Sequence, residues 1–255
     1  MCPKVKPETK VEKEVTVKRT IAAVLVAVLL TSGLLFGCGG LVRGSGNLDT
    51  QEMEFSGFTR IEASHGFEVE ITQSDSYSVI ITADDNLFDD HITVSKAGDT
   101  LKIRLCSNYL YTSVTLRAKV IMPALYKLGL SGGSTASISG FSSSHDFSAQ
   151  LSGGSWVNGD IAAADADFDL SGGSTVTLTG SADDLVVKGS GGSQLDLEAF
   201  SVDNADINLS GGGRATVNLD GTLDVNLSGG SKVLYIGEPT LGDIDLSGDS
   251  TVSKK

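Results

Sequence analysis

The sequence is poor in the residues that characterise several common protein classes. Its 255 residues include only four prolines and three cysteines, Cys2, Cys38 and Cys106. So few prolines exclude a collagen-like or polyproline structure. Three scattered cysteines exclude a disulfide-stapled scaffold or a zinc cage. Aromatic residues make up only 6% of the chain, with Trp156 as the single tryptophan.

Basic residues are scarce outside the first 37 positions. Residues 1–37 carry six Lys or Arg and three Glu, whereas residues 38–255 carry 13 Lys or Arg and 29 Asp or Glu, a net charge of −16. Because such an acidic chain repels the phosphate backbone of nucleic acids, no nucleic acid is expected as a partner. Apolar residues nevertheless make up 40% of the sequence. That fraction is enough for a packed core and too high for a disordered chain.

Signatures of catalysis are also missing. The chain contains no Gly-Lys dipeptide, so it lacks the phosphate-binding loop of ATPases. The spacing of His65, His91 and His145 links none of them to a nucleophile or to a second metal-binding histidine. Cys106 follows an apolar strand and is interpreted as an inert, partly buried residue, with a reactive thiol as the alternative. The sequence therefore predicts a protein that is not an enzyme.

A charge-free apolar run of 17 residues extends from Ile21 to Gly37, after a lysine-rich beginning. This length is at the short limit for a transmembrane helix, and the charge pattern is typical of an export signal. The segment Leu35-Phe36-Gly37-Cys38 resembles the bacterial lipobox, which implies that Cys38 is lipidated and becomes the mature N-terminus. The alternative is an uncleaved anchor helix. Either way, residues 41–255 are predicted to lie outside the inner membrane, with 1–37 as signal peptide or anchor and 38–46 as a flexible tether.

Residues 129–255 contain seven copies of Leu-Ser-Gly-Gly-Ser or a close variant. Apolar and polar residues alternate on both sides of each glycine pair, as in a strand with one buried face. Repeats of about 19 residues cannot bury their apolar face alone, so they are expected to stack around a common core. The sequence thus predicts an all-β protein with a parallel β-solenoid. The first glycines of the copies, separated by 21, 19, 19, 20, 18 and 19 residues, are Gly132, Gly153, Gly172, Gly191, Gly211, Gly229 and Gly248.

These glycines are predicted to form the corners of successive coils. Glycine permits a positive φ and presents no Cβ to the neighbouring coil. Gly189 interrupts the ladder of leucines that precede the corners, so we expect either a local weak point or a compensating side chain such as Val187. Residues 47–128 lack the Gly-Gly signature but remain strand-like, which favours an N-terminal cap and first coils. No C-terminal cap is evident in the sequence.

Several motifs resemble those of one bacterial family. They are Phe58-Thr59-Arg60-Ile61-Glu62, Gly66–Gln73, Ala83–Leu87 and Thr100–Ile103, followed by the Leu-Ser-Gly-Gly-Ser repeats. Together they are similar to the family called putative auto-transporter adhesin, head GIN domain, over about residues 46–250. The resemblance implies a right-handed parallel β-helix on an exported bacterial envelope protein. It supplies no catalytic residues.

One acidic column is a candidate metal site. Asp206, Asp224 and Asp243 each lie four residues before a repeat serine and are expected on adjacent coils, about 4.8 Å apart. Like charges at that distance repel unless solvent screens them or a cation such as Ca²⁺ bridges them. A solvated acidic face is the simpler interpretation, and weak Ca²⁺ binding is the alternative.

Three functions are compatible with this sequence. The first is a lipid- or membrane-anchored adhesin or structural protein of the cell envelope, with a surface glycan or a protein as ligand. The second is a carbohydrate-active enzyme, for which Trp156 is an outward-facing aromatic residue and Asp160, Asp183 and Asp184 are the candidate acids. The third is a passive envelope homo-oligomer that pairs through open C-terminal coils.

Overall fold

The computed structural model describes residues 40–255. In these residues the protein is built from strands, with one 3-10 turn at Asp85–Leu87. None of the described helices could cross a membrane, and the helix predicted for residues 1–37 lies outside the described residues. The strands are β1 (Leu41–Arg43), β2 (Leu48–Met53), β3 (Arg60–Ala63), β4 (Glu68–Gln73), β5 (Ser78–Asp84), β6 (Ile92–Ala97), β7 (Thr100–Leu105), β8 (Leu110–Thr112), β9 (Leu116–Met122), β10 (Lys127–Leu130), β11 (Thr135–Ser142), β12 (Phe147–Leu151), β13 (Trp156–Ala162), β14 (Ala166–Leu170), β15 (Thr175–Ser181), β16 (Asp184–Gly189), β17 (Gln194–Val202), β18 (Asn204–Leu209), β19 (Arg214–Leu219), β20 (Thr222–Leu227), β21 (Lys232–Ile236), β22 (Thr240–Leu246) and β23 (Thr251–Lys254).

Two long sheets form the body of the molecule. One has ten strands in the order β22-β20-β18-β16-β14-β12-β10-β3-β7-β6, and the other has eleven in the order β2-β5-β9-β4-β11-β13-β15-β17-β19-β21-β23. Each repeat contributes one strand to each sheet, and successive repeats pair in parallel. The predicted β-solenoid is therefore confirmed for the repeat region.

The core lies between the two sheets, where the inward residues of each coil stack on those of the next. Leu151 pairs with Leu170, and Ile207 pairs with Val225. All of these side chains are buried in one continuous apolar cluster that extends from the cap to the last coils. Burial of each leucine contributes about 1.5–3 kcal/mol. The period-two alternation thus defines which face of each strand packs inward.

The seven predicted corner glycines all have a positive φ, between 63° and 85°. They also lie against one another in successive coils. A Cβ on Gly191 would approach the carbonyl oxygen of Gly172 to 2.7 Å, and a Cβ on Gly229 would approach the amide nitrogen of Gly211 to 3.0 Å. Conformation and close packing therefore both require glycine at these corners.

Leu209 fills the space that Gly189 leaves in the leucine ladder. Its Cδ2 lies 2.5 Å from the position that a Cβ of Gly189 would occupy. Val187, the residue expected to compensate, instead belongs to the neighbouring ladder between Phe168 and Ile207. A neighbouring side chain thus compensates for Gly189, but it is a leucine of the next coil, long enough to reach across the gap, and not Val187.

The N-terminal cap does not follow the chain order of the repeats. The pair β3/β4 is inserted between β7/β9 and β10/β11, with all of these strands parallel. Strands β5 and β6 then run antiparallel to β9 and β7, and β2 runs antiparallel to β5. Antiparallel strands therefore cover the N-terminal end of the solenoid.

Residues 41–46 are not a flexible tether. Strand β1 pairs in parallel with β8, and the loop after it is held by buried Asp84. One carboxylate oxygen of Asp84 accepts a hydrogen bond from the amide of Gly46 and the other from the amide of Thr115, both at 2.7 Å. Ser45 donates to the carboxylate of Asp85 at 2.6 Å. We call residues 43–47 with Asp84, Asp85 and Asn86 the clasp, and it fixes the chain from Leu41 onward.

The last coil leaves part of its apolar face open. Leu241 and Leu246 on β22 are 49% and 47% exposed, whereas the corresponding leucines of earlier coils are buried. Lys254 forms an ion pair with Glu238, and Lys255 forms one with Glu198. Charged side chains thus flank the final edge strand, an arrangement that discourages further strand addition.

Candidate binding site

A groove of about 500 Å³ lies on the outer face of the eleven-stranded sheet, next to the cap. It crosses five neighbouring strands, β5, β9, β4, β11 and β13. Outward side chains form it in two parallel rows because residues two apart on a strand share a face. The first row is Trp156, Thr135, Glu68, Arg117 and Thr82, and the second is Asn158, Ser137, Glu70, Lys119 and Ile80.

The groove is concave because short side chains lie between long ones. Thr135 and Ser137 on β11 line its middle. Trp156 and Asn158 rise on one side of them, and the glutamates of β4 rise on the other. This order of long, short and long side chains follows directly from the strand register.

Two ion pairs line the cap side of the groove. Arg117 Nε lies 3.3 Å from a carboxylate oxygen of Glu68, and Lys119 Nζ lies 3.3 Å from one of Glu70. All four side chains remain about half exposed, so each pair stabilises the fold by at most about 1 kcal/mol. Their charged groups therefore remain available to hydrogen-bond a ligand.

Trp156 supplies the apolar surface of this site. It is 45% exposed, as the sequence predicted for an outward position. An exposed indole offers a flat face to apolar groups and an N–H donor to polar ones. Carboxylates, cations, hydroxyls and an amide surround this indole. Together they can bind a small ring that carries both C–H and O–H groups.

The acidic column does not form a metal site in the described part of the chain. Asp206 and Asp224 are register partners on adjacent coils. Asp243 lies at an irregularity of β22, where its amide donates to the Asp224 carboxylate at 2.7 Å. Within residues 40–255, no group of three or more His, Cys, Asp or Glu side chains could hold a metal ion. The bulge is the physical reason, because it breaks the register that would align all three carboxylates.

The candidate acids of the enzyme hypothesis make structural contacts. A carboxylate oxygen of Asp160 accepts a hydrogen bond from the amide of Gly140 at 2.8 Å. Asp184 accepts one from the Asn204 side chain at 2.9 Å, and the Asp183 carbonyl accepts one from the amide of Asp203. These bonds stabilise bends between coils, and none of the three residues lines the groove.

Of the three cysteines, only Cys106 lies among the residues that the structure describes. Cys106 is 8% exposed, and its sulfur lies 3.3 Å from the carbonyl oxygen of Asp90, a position that fits the partly buried residue expected from the sequence. Cys2 and Cys38 lie outside the described residues, so the lipidation of Cys38 stays a prediction.

The charged part of the groove is not evident from the sequence alone. The alternation of Glu68 and Glu70 on β4, and of Arg117 and Lys119 on β9, is visible in the sequence. These strands are separated by more than 40 residues, however, and only their parallel pairing brings the opposite charges together. Trp156 was identified in advance, but its neighbours in the groove were not.

Three solved structures resemble this fold closely. A putative adhesin from Bacteroides fragilis NCTC 9343 is 17% identical, covers 84% of this chain and 100% of its own, and has a TM-score of 0.76. A putative adhesin from Parabacteroides merdae ATCC 43184 is 16% identical, with coverages of 85% and 100% and a TM-score of 0.72. A putative lipid binding protein from Parabacteroides distasonis ATCC 8503 is 21% identical, with coverages of 85% and 100% and a TM-score of 0.69.

At these identities the structural likeness establishes the fold and does not identify a shared ligand. No curated protein matches the chain. The family described as putative auto-transporter adhesin, head GIN domain, matches residues 57–239. Because that match spans more than half of the sequence, and because its motifs lie in the cap and repeats described above, the chain belongs to this family.

Proposed function

We propose that the protein is an exported adhesin of the bacterial cell envelope and that it binds a surface glycan in the groove beside Trp156. The observation that carries this proposal is the exposed position of the only tryptophan, at the edge of a groove that is also lined by charged side chains. The family name supports the adhesive role. We also propose that the β-solenoid is right-handed, as the family resemblance implies.

The chemistry of the groove favours a glycan over a large protein surface. Its volume of about 500 Å³ suits one or two sugar rings. The face of Trp156 can contact the C–H groups of a sugar ring. Glu70, Asn158 and Arg117 carry the acceptors and donors that its hydroxyls require. The mixed charge suits a neutral sugar because no single sign dominates the groove.

Replacement of Trp156 tests the ligand proposal. In a glycan array probed with the full-length protein in detergent, Trp156→Ala should weaken binding about tenfold or more, because it removes a central aromatic contact. Trp156→Phe should retain part of the affinity, since a smaller ring still offers an apolar face. Asn208→Ala, on the outer face of the opposite sheet, is the matched control and should bind normally. Equal binding by Trp156→Ala and the native protein would disprove this site.

We further propose that Cys38 anchors the protein through a lipid. The lipobox-like segment and the preceding apolar run support this assignment. Mass spectrometry of the mature N-terminus should find a diacylglycerol-modified Cys38. An unmodified Cys38, or a chain that still begins before it, would contradict the lipid anchor and favour the uncleaved helix.

A further inference from the structure

The two-stranded ribbon β1/β8 has one face against the core and one face toward solvent. Val42 and Tyr111 are register partners that pack on the core cluster. Leu41 and Leu110 are the adjacent register partners, and they point to the opposite side. They are 68% and 67% exposed, the highest values for large apolar residues in the described part of the chain.

This exposed leucine pair lies very near the predicted membrane anchor. Only two residues separate Cys38 from Leu41, and a fully extended chain spans at most about 3.6 Å per residue. Leu41 must therefore lie within about 11 Å of the lipidated residue, or within about 14 Å of the end of an uncleaved helix at Gly37. Because the clasp fixes the chain immediately after β1, no slack is available to move the folded domain away from the bilayer.

A cationic residue beside the pair also suits a membrane interface. Tyr109 does not belong to this face, because its ring packs edge-on against His91, with the ring centroids 4.7 Å apart, on the side of Tyr111. Arg43 is exposed and lies two residues after Leu41 on the same strand face, where its guanidinium can contact lipid phosphates.

We propose that Leu41 and Leu110, together with Arg43, insert into the interface of the anchoring membrane and dock the capped end of the solenoid on it. The occupant of this apolar patch is thus a lipid surface. Apolar contact has to provide the attraction, because the acidic exported chain as a whole is repelled by anionic lipids. This docking rests on the proposed anchoring and gives it a second point of attachment. In this orientation, the C-terminal coil that carries Leu246 lies at the end of the solenoid farthest from the membrane.

Depth-dependent fluorescence quenching tests the docking. Full-length protein carrying Trp156→Phe, which removes the native tryptophan, would receive Leu110→Trp and be reconstituted into vesicles of phosphatidylethanolamine and phosphatidylglycerol. Some of the phosphatidylethanolamine would carry brominated acyl chains, which quench indoles that enter the bilayer. The matched control is Leu246→Trp in the same background, because Leu246 is also an exposed leucine but lies at the opposite end.

We expect the brominated vesicles to quench most of the fluorescence of the Leu110→Trp protein and little of that of the Leu246→Trp protein. Equal and weak quenching of both, in protein that floats with the vesicles, would overturn the docking while leaving the anchor intact. Protein that fails to float would refute the anchor itself. As a second measurement, Leu41→Thr with Leu110→Thr should increase amide exchange of β1 and β8 in vesicles but not in detergent. If the double substitution changes the amide exchange of β1 and β8 equally in vesicles and in detergent, that result would also contradict docking.

Discussion

At the scale of single residues, His65 occupies the place of a corner glycine. Its φ is +68°, and a Cβ on Gly132 would approach its amide nitrogen to 3.3 Å. Ala63 pairs with Leu130, so Ser64-His65-Gly66 corresponds to Ser131-Gly132-Gly133. The cap thus begins with a degenerate copy of the repeat. Sequence analysis missed it because histidine replaces the glycine that defines the motif.

Replacement of His65 with glycine should stabilise the protein. Left-handed backbone costs a non-glycine residue about 1–2 kcal/mol, and the extra freedom of unfolded glycine offsets part of this gain. We expect a net increase in the free energy of unfolding of about 0.5–1 kcal/mol in urea titrations at neutral pH.

The gain from His65→Gly should be larger at acidic pH. Burial, and secondarily the charge of Arg104, lowers the pKa of His65 from its ordinary value of 6.5. The folded state then binds a proton less readily than the unfolded state, so native stability falls as the pH decreases through about 6.5. Ser113→Gly is the control, since Ser113 also has a positive φ of 51° and does not titrate. A gain from His65→Gly that does not change between about pH 5 and pH 8 would contradict this explanation.

At the scale of elements, the clasp determines where the folded domain begins. The expectation of a flexible tether over residues 38–46 followed from the glycines of that segment. In the structure, Gly44 is required by close packing, because a Cβ there would approach the carbonyl oxygen of Ser113 to 2.3 Å. Gly46 has a positive φ of 83°, which turns its amide toward the Asp84 carboxylate. Glycine therefore marks tight packing here and not flexibility.

Removal of the Asp84 carboxylate should open the clasp. Asp84→Ala removes two hydrogen bonds from a buried carboxylate to the partly buried amides of Gly46 and Thr115, at a cost of about 3 kcal/mol in the free energy of unfolding, since bonds to a charged acceptor contribute about 1.5–3 kcal/mol each. Amide exchange of β1 and of the loop to Asn47 should accelerate most strongly. Asp85→Ala is the matched control, because Asp85 is exposed and accepts from the Ser45 hydroxyl, and it should cost about 1 kcal/mol or less. Similar exchange in the two variants would refute the role of Asp84.

At the scale of the whole molecule, burial decreases toward the C-terminal end. Leu209 is 2% exposed in the middle of the leucine ladder, whereas Leu246 in the last coil is 47% exposed. Contacts in a solenoid are made mainly between neighbouring coils, so stability is approximately a sum of local terms. The last coil has a neighbour on only one side and is therefore expected to open first.

Alanine substitutions in a middle coil and in the last coil test this difference in local stability. Leu209→Ala should lower the free energy of unfolding by about 2–5 kcal/mol, because it leaves a cavity between coils. Leu246→Ala should cost about 1 kcal/mol or less, since its side chain is already half solvated. Urea titrations with amide exchange of β18 and β22 would compare the two. A loss for Leu246→Ala as large as that for Leu209→Ala would show that the last coil is covered in solution.

The sequence by itself determined the repeating part of this protein. Alternation at period two defined which residues face inward, and the spacing of Gly132, Gly153 and the other corner glycines defined where each coil bends. Both are local properties, because strand pleating and positive φ depend on residues close together in the chain. Membership of the family followed from the same motifs.

Only the tertiary structure decided the cap, the groove and the position of the leucine pair. The insertion of β3/β4 between β7/β9 and β10/β11 joins segments that are distant in sequence, and no local pattern specifies that order. The groove needs Glu68 beside Arg117 and Trp156 beside Thr135, contacts that depend on strand pairing. Leu41 meets Leu110 for the same reason. Side chains from remote strands become neighbours only when backbone hydrogen bonds fix one register out of many.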